Sequence, residues 1–516
     1  MMNTLRAEPA PPYRIELTIL LIWAAVYLVG LYFHEPWSDE VRAYSLMREG
    51  GDPVGIFFGL RNEGHPVLWY WWLWVVDQLV DHPLTLKVAA SIVAFATTAM
   101  VMCRMPLPLY LRVAIILSVV GLHEIQIIAR NYGIAFLILL CIIDTALRHP
   151  DRHWLLLPLL VLFANTNAYA TVMTPWIALA LLWPHVWAVL LRFERRSIML
   201  LAIYGIALAL AALAAWYAGS QDELTAVRPY EVDGQTGRTL EQIIWDLRGA
   251  FGYTSIFEFG ILPQKAEEII KKAMVLFMLL SLAFSVRYFT AGALALGLWI
   301  VLSGLLYRGQ DRHALMLVIT LFALFVLMFR TEGLEYRGWR ARLIPVAVGF
   351  WTLCFVGLND LSDLARDIRL PFTGAAGAAE RITADGGTGT VIVLSDSGYH
   401  VEAMPYYLLK MKLYQVREGR FRAYTRLTRE SSSGLSIAEI IEAAKRLKVE
   451  NPGANVYFVT DVPYHLRQGS GRQDLYFKWY TDWDEESITS LNSDFLLLGR
   501  DEAIQFFEGL YTYKLK

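Results

Sequence analysis

Long apolar segments are the feature that most constrains how this chain can fold. An α-helix needs about 20 apolar residues to cross a bilayer core of roughly 30 Å, and eleven runs approach that length. They lie near 15–33, 87–103, 107–122, 132–148, 154–169, 172–191, 197–217, 272–287, 289–306, 313–329 and 343–358. Hydrophobic residues make up 56% of the chain and charged residues 18%, whereas about a quarter of a soluble domain is charged. The sequence therefore predicts a polytopic α-helical membrane protein.

One further apolar segment, residues 65–83, has a different character. It reads HPVLWYWWLWVVDQLVDHP, which is short, rich in Trp and bounded by prolines. Trp and Tyr rings favour the headgroup level, where one end of the ring is apolar and the other is wet. We therefore predict that this segment is an interfacial helix that does not cross the membrane.

The distribution of arginine predicts the orientation. If 65–83 does not cross and the N-terminus is cytoplasmic, most arginine-rich loops are cytoplasmic, as the positive-inside rule requires. These loops hold Arg104, Arg112, Arg148, Arg152, Arg192, Arg195, Arg196, Arg287, Arg330, Arg337, Arg340 and Arg342. The expected localisation is a multi-pass protein of the inner (cytoplasmic) membrane with its C-terminal part outside, which is the periplasm in a Gram-negative bacterium.

Charge, cysteines and the N-terminus exclude several other classes. The net charge is −2 with no basic stripe, which argues against a nucleic-acid partner. The three cysteines lie inside apolar runs and show neither disulfide nor metal spacing. The first apolar run has no cleavage-site pattern after it, so we expect it to be retained as the first span.

The composition changes near residue 360, where charged residues and glycine return. We therefore divide the chain into a membrane domain, 1–359, and a C-terminal extracytoplasmic domain, 360–516. The stretch GTVIVLSDSGYHVEAMPYYLLKMK predicts a buried strand, a turn and an amphipathic helix. A helix and a strand are predicted in IAEIIEAAKRLKVENPGANVYFVTD, and another strand in DFLLLGR. This alternation predicts a small α/β domain.

Polar side chains at or near membrane depth each need a partner or a task, and here they gather in the predicted outside loops. The first loop contributes Asp39, Glu40, Arg42, Tyr44, Arg61, Glu63 and His65; the second His123, Glu124, Arg130 and Tyr132; and a late loop Tyr307, Arg308, Asp311, Arg312 and His313. Carboxylates and guanidinium groups on one face can form an ion-pair network. They can equally form a pocket where a carboxylate meets a hydroxyl and arginines meet a phosphate.

Several of these residues also have a purely structural interpretation. Ser38 is a good N-cap, and acidic residues in a first helical turn gain from the helix dipole, so Asp39 and Glu40 could simply begin a surface helix. Arg130 could be an interfacial anchor. Arg308 and Arg312 could be ordinary loop charges, although their outside location opposes the positive-inside bias.

The order of these motifs resembles the membrane glycosyltransferases of the GT-C superfold. The resemblance is strongest to the branch that contains protein O-mannosyltransferases and lipid A aminoarabinose transferases. It covers roughly residues 10–360: a first span, the Asp39-Glu40 pair and a surface helix, NEGHP leading into an aromatic helix, and ARNYGIAFLILL at the end of an outside loop. The sequence departs from the family in having one Pro where two are common, and Arg312-His313 where Arg-Tyr is commoner.

The resemblance implies roles for individual residues. Asp39 and Glu40 would be the catalytic carboxylates, with Asp39 as the base. Arg130, Tyr132, Arg308, Arg312 and His313 would bind the donor phosphate and lipid. Arg42, Tyr44, Glu63 and His65 would contact substrate. Asp39, Glu40 and Glu63 also offer hard oxygen ligands for a divalent cation, without a strong metal-binding spacing.

The implied donor is a sugar on a polyprenyl phosphate such as undecaprenyl phosphate, and the acceptor is a glycan, lipid or protein hydroxyl. The sequence has neither a Gly-rich phosphate loop nor a Rossmann fingerprint for a nucleotide sugar. The expected reaction is a single inverting displacement, with Asp39 as general base and cationic groups stabilising the leaving phosphate. The outside segment 218–271 is expected to be either a lid over the substrates or an ordinary loop with a surface helix.

Two alternatives stand beside this interpretation. A transporter or flippase for a glycolipid would place charges in mid-span and often has inverted repeats, whereas here the charges cluster on one face. A lipid-linked glycan polymerase or ligase would transfer a whole glycan instead of one sugar.

Overall fold

The fold is described from a computed structural model. It covers residues 14–219, 264–305, 311–332, 338–386, 389–396, 398–426, 434–466, 472–473, 480–504 and 508–516. Most of the outside segment 218–271, and the part of the late loop that holds Tyr307 and Arg308, lie in the gaps between these ranges.

Helices form in every one of the eleven predicted spans. They are α1 (Arg14–Phe33), α5 (Thr85–Cys103), α6 (Leu109–Ile116), α7 (Asn131–Arg148), α8 (His153–Ala164), α9 (Ala168–Arg192), α10 (Arg195–Gly219), α11 (Gln264–Leu280), α12 (Val286–Leu305), α13 (Asp311–Thr331) and α14 (Trp339–Gly357). Within the described residues, seven helices are long and apolar enough to cross a membrane, and α8 and α14 supply shorter apolar stretches. The polytopic helical class is confirmed.

The helix α13 is the centre of the membrane part. In its most apolar window 83% of residues are buried, against 11% in α10 and 17% in α1. The exposed faces of α1 and α10 carry large apolar side chains such as Leu21, Ile22 and Leu213. Such surfaces are stable only in an apolar solvent, so we assign them to lipid.

Three short helices follow α1 before the next span: α2 (Ser38–Gly50), α3 (Pro53–Gly59) and α4 (Leu68–Val80). The Trp-rich α4 has 13 residues, about 20 Å of helix, which is too short for the core. Its Trp71 and Trp74 indoles donate to the Pro53 and Gly51 carbonyls at 2.9 and 3.0 Å. These bonds hold α4 against the turn between α2 and α3.

The predicted span 107–122 differs from the structure. Its helix α6 ends at Ile116, and the chain then runs through turns to a short π-helical segment, His123–Ile127. A Cβ on Gly121 would lie 2.4 Å from the Ile116 Cα, so this fold-back requires glycine at position 121. The turns bring His123 and Glu124 below the N-terminus of α7.

The C-terminal part begins with α15 (Leu361–Arg369) and α16 (Gly374–Ala384), followed by β1 (Val391–Ser395), a 3₁₀ turn (Gly398–Val401), α17 (Met404–Tyr407), β2 (Met411–Gln415), β3 (Arg420–Phe421), β4 (Leu435–Ser436), α18 (Ile437–Glu450), β5 (Asn455–Thr460), β6 (Arg472–Gln473), β7 (Tyr480–Asp482), α19 (Glu485–Asp494), β8 (Phe495–Asp501) and β9 (Leu510–Leu515). A six-stranded sheet has the order β3-β2-β1-β5-β9-β8, and a second sheet the order β4-β7-β6. β1 is parallel to β2 and β5, and β9 is antiparallel to β5 and β8.

The α/β class of this part is confirmed, and so are the strands β1, β5 and β8 and the helix α18. The predicted amphipathic helix after the first strand is wrong in extent. Only the four residues of α17 are helical there, and residues 411–415 form β2. The boundary at 359/360 stays a prediction; α15, which follows it, packs Leu364 against Gly30 of α1, where any larger side chain would collide.

Candidate functional site

Asp39 and Glu40 occupy the first turn of α2 but point to different surroundings. Glu40 is 0% exposed. Its carboxylate accepts from the Trp37 backbone N–H at 3.2 Å, in capping-box fashion, and from the Ala129 backbone N–H at 2.6 Å. The Asp39 side chain keeps 22% of its surface exposed. Glu40 is therefore a buried carboxylate with structural hydrogen bonds, whereas the Asp39 carboxylate is partly accessible.

The Asp39 carboxylate is surrounded by cations and a phenol. It forms an ion pair with Arg130, and Arg312 lies 3.9 Å from the same oxygen. The Tyr399 hydroxyl, from the 3₁₀ turn of the C-terminal part, donates to its other oxygen at 2.5 Å. Three predicted residues and one unpredicted residue thus meet at this point.

The predicted phosphate-binding residues gather around Arg130 and Arg312. The Arg312 Nε donates to Glu124 at 2.7 Å, and its guanidinium lies 5.0 Å from the centre of the Trp37 ring. The His313 ring stacks obliquely on Tyr169, with ring centres 4.6 Å apart, and lies 6.1 Å from Tyr132. Arg308 lies outside the described residues, so its location stays a prediction.

His65 belongs to the same group. The Arg130 guanidinium lies 3.3 Å from the His65 Nε2. Burial lowers the pKa of His65, an effect that the nearby Glu63 partly opposes. A neutral imidazole can accept a hydrogen bond from the guanidinium, so His65 orients Arg130 without competing for an anion.

Arg42 and Glu63 form a buried network with a carboxylate of the C-terminal part. The Arg42 guanidinium donates to Glu63 at 2.6 and 2.9 Å and to both oxygens of Glu402 at 2.9 Å. Burial raises the pKa of Glu402 to about 7, although Arg42 and the Thr425 N–H lower it and Glu63 raises it. The network joins α2, the NEGHP loop and the segment before α17.

Tyr44 lies apart from the Asp39 group, toward α4. Burial and the nearby Asp77 carboxylate raise the pKa of the Tyr44 phenol to about 12. The structure does not bring Asp39, Glu40 and Glu63 together as cation ligands either, because each side chain has different partners.

A second buried cluster lies beneath Asp39. His34 bonds through Nε2 to Glu40 at 2.9 Å and through Nδ1 to Asp367 at 2.8 Å. The same Asp367 oxygen lies 2.8 Å from His123 Nε2, and His123 Nδ1 lies 3.8 Å from Asp360. Burial lowers the pKa of His34, but Glu40 and Asp367 more than reverse this and raise it to about 9.

Sequence reasoning missed Tyr399, Glu402, His34 and Asp367. Tyr399 and Glu402 are each 360 positions from their partners Asp39 and Arg42, and nothing local marks them. His34 had a local signal, since it stands six residues before Glu40 at the end of the first span.

The order of spans and surface helices, followed by a C-terminal α/β part, is that of the GT-C fold, which the sequence resemblance implied. Among solved structures, the crystal structure of ArnT from Cupriavidus metallidurans bound to undecaprenyl phosphate matches at a TM-score of 0.50, with 10% sequence identity and 98% of both chains covered. No protein-family model and no curated protein sequence matches the chain.

Proposed function

We propose that this protein is a glycosyltransferase that moves a sugar from a polyprenyl-phosphate donor to an acceptor hydroxyl at the extracytoplasmic face of the inner membrane. The acceptor is a glycan, lipid or protein. The observation that carries the proposal is the accessible Asp39 carboxylate with Arg130 and Arg312 beside it, in a fold shared with a protein whose crystal structure contains undecaprenyl phosphate.

In this proposal, the ion pair between Asp39 and Arg130 is present in the site before the donor binds. A lipid phosphate is a stronger partner for a guanidinium than a single carboxylate, because it offers more acceptor oxygens. On donor binding Arg130 turns to the phosphate, with Arg312 as the second cation. Asp39 loses its counter-ion and becomes free to accept a proton, so arrival of the donor prepares the base.

The transfer is a single displacement. The acceptor hydroxyl gives its proton to Asp39 while its oxygen bonds to the anomeric carbon. The bond from that carbon to the phosphate oxygen breaks, and the electron pair leaves with the polyprenyl phosphate, which needs no general acid because it is a stable anion. Arg130 and Arg312 stabilise the charge that develops there, and attack opposite the leaving group inverts the anomeric centre.

Other residues have supporting roles in this proposal. Tyr399 orients Asp39, and His65 orients Arg130. Tyr132 and His313 form the wall beside the phosphate, and Arg308 adds a cation from the late loop. Glu40 acts as a positioning residue, since its carboxylate is buried among backbone and imidazole donors.

Mass spectrometry of envelope lipids and glycans tests the proposal. Strains lacking the protein are complemented with wild type, Asp39→Asn or Asp81→Asn. Asp81 lies in the same outside segment, is 80% exposed and pairs with Arg48 instead of the site; its left-handed backbone suits asparagine.

We expect one sugar modification to be present with wild type and Asp81→Asn and absent with Asp39→Asn at equal protein level. An unchanged modification with Asp39→Asn would contradict the mechanism. Accumulation of an unmodified glycolipid in the inner leaflet, with transfer intact, would instead indicate the transporter alternative.

A further inference from the structure

We propose that His34, His123 and Asp367 bind a divalent transition-metal ion, Zn²⁺ by the chemistry of the ligands, at a structural site beneath Asp39. Within the described part of the chain these three residues form the one group of three His, Cys or acidic side chains arranged to hold a metal, with the ligand atoms within 4.8 Å of one another. All three are buried.

The geometry of the ligand atoms supports an ion. His34 Nδ1 and His123 Nε2 both point at the same oxygen of Asp367, each at 2.8 Å. Zinc bonds of about 2.0–2.2 Å at tetrahedral angles separate ligand atoms by roughly 3.3 Å. The two nitrogens therefore each need to move only about half an ångström from the Asp367 oxygen to receive the ion.

The surroundings have the pattern of a metal site's outer shell. A histidine that binds a metal usually directs its other ring nitrogen to a carboxylate. Here His34 Nε2 lies 2.9 Å from Glu40, and His123 Nδ1 lies 3.8 Å from Asp360. The ring of Phe372 packs against the His34 imidazole with ring centres 4.8 Å apart.

An unsatisfied ligand oxygen points to the same conclusion. Asp367 Oδ1 is buried without a hydrogen-bond partner among the described residues. Three buried carboxylates, Glu40, Asp360 and Asp367, surround the two imidazoles, and the Lys87 ammonium donates to the His34 carbonyl at 2.7 Å. A divalent cation would offset part of the negative charge that is buried here.

The ion would join three distant segments: the end of α1, the turn before α7, and α15. Glu40, which orients His34, accepts from the Ala129 N–H next to Arg130; Asp360, beside His123, accepts from the Glu124 N–H at 2.7 Å. Glu124 in turn holds Arg312. The metal site would thus hold both arginines in place around Asp39. The importance of this for catalysis rests on the proposed function, but the binding of the metal does not.

Metal analysis of the full-length protein in detergent tests the proposal without relying on activity. Purified without chelators, the wild type should carry about one zinc ion per chain, with nitrogen and oxygen neighbours at about 2.0–2.2 Å by X-ray absorption. His123→Asn and Asp367→Asn should lose most of the metal. His185→Asn is the matched control. His185 lies beside His153 with ring centres 5.3 Å apart, and within the described residues it belongs to no group of side chains arranged to hold a metal.

Because the variants could fail to fold, the wild type is also measured after chelation. Removal of the ion should lower Tm, and added Zn²⁺ should restore it, since a ligand that binds the folded state stabilises it. The proposal would be overturned if the wild-type protein contained no metal and its Tm changed with neither chelator nor Zn²⁺. Equal metal content in His123→Asn and wild type would overturn it as well.

Discussion

At the scale of single residues, the proposed chemistry depends on how Asp39 is held. Its two oxygens have different partners: Arg130 and, more distantly, Arg312 on one, and the Tyr399 hydroxyl on the other. In the proposed mechanism the arginines turn to the leaving phosphate, and Tyr399 is the partner that stays with Asp39 and orients the carboxylate toward the acceptor.

Replacement of Tyr399 by Phe removes that hydrogen bond and keeps the ring. A hydrogen bond to a charged group contributes about 1.5–3 kcal/mol, so we expect Tm to fall by a few °C. If Tyr399 orients the base, kcat should also fall, by about tenfold or more. Tyr457→Phe is the control, because Tyr457 donates to Asp385 at 2.9 Å within the C-terminal part. Equal transfer rates for the two variants would show that Tyr399 does not orient Asp39.

Glu402 gives a prediction about pH. Its pKa is raised from 4.5 to about 7 in the folded protein, so the folded state keeps a proton that the unfolded state has released. Stability therefore falls as pH rises from about 4.5 to about 7 and is level above that. The Tm of wild type should fall relative to Glu402→Gln by a few °C across this window. Parallel Tm profiles for the two proteins would refute this assignment.

At the scale of elements, the 3₁₀ turn Gly398–Val401 connects the C-terminal part to the site, because it carries Tyr399 and leads to Glu402. The turn sits close to β2: a Cβ on Gly398 would lie 2.0 Å from the Gln415 side-chain oxygen and 2.3 Å from the Thr425 hydroxyl. A larger residue at this position therefore requires the buried Gln415 and Thr425 side chains, or the turn itself, to move.

Gly398→Ala should therefore displace the turn and reduce both stability and transfer. Overpacking of this kind costs about 1–3 kcal/mol. In Gly453→Ala, in the same α/β part, the new methyl group meets no atom within 4 Å, so we expect wild-type Tm and transfer. Thermal unfolding and transfer assays of the two variants check this; a Gly398→Ala protein indistinguishable from Gly453→Ala would contradict it.

The sequence predicts elements well where the signal is local. The helix α18 shows an apolar period together with the Ser436–Glu439 capping box, and its prediction is confirmed. The sequence predicts the ends of elements poorly where a contact with a distant part of the chain decides them. The end of α6 at Ile116 lies inside a continuous apolar run, and what ends the helix is tertiary: the Val119 N–H bonds the Leu358 carbonyl at 2.9 Å.

The candidate site shows the same division. The sequence predicts the first outside loop, the Arg130 segment and the Arg312-His313 pair, because charges are conspicuous beside apolar runs. Adjacent carboxylates look alike in sequence, which therefore predicts a catalytic role for both Asp39 and Glu40. In the structure the helical turn aims the two about 100° apart, and the partners Ala129 and His34 distinguish Glu40 from Asp39.

At the scale of the whole molecule, the proposed mechanism requires the Asp39 group to face outside, where lipid-linked sugars are the available donors. Fusions to alkaline phosphatase test this. A fusion after Leu358 should be active and one after Arg148 inactive, because the two positions fall on opposite sides in the predicted topology. Activity only after Arg148 would invert the topology and remove the proposed site from the outer face.

The central claim is that Asp39 is the base of a lipid-linked sugar transfer. It is tested most directly by the transfer rate of purified protein in proteoliposomes, using the polyprenyl-phosphate donor and the acceptor identified from the envelope. General-base catalysis contributes about 10²–10⁴-fold, so Asp39→Asn should be slower by that factor while donor binding persists and Asp81→Asn keeps the wild-type rate. Transfer by Asp39→Asn at the wild-type rate would contradict the account.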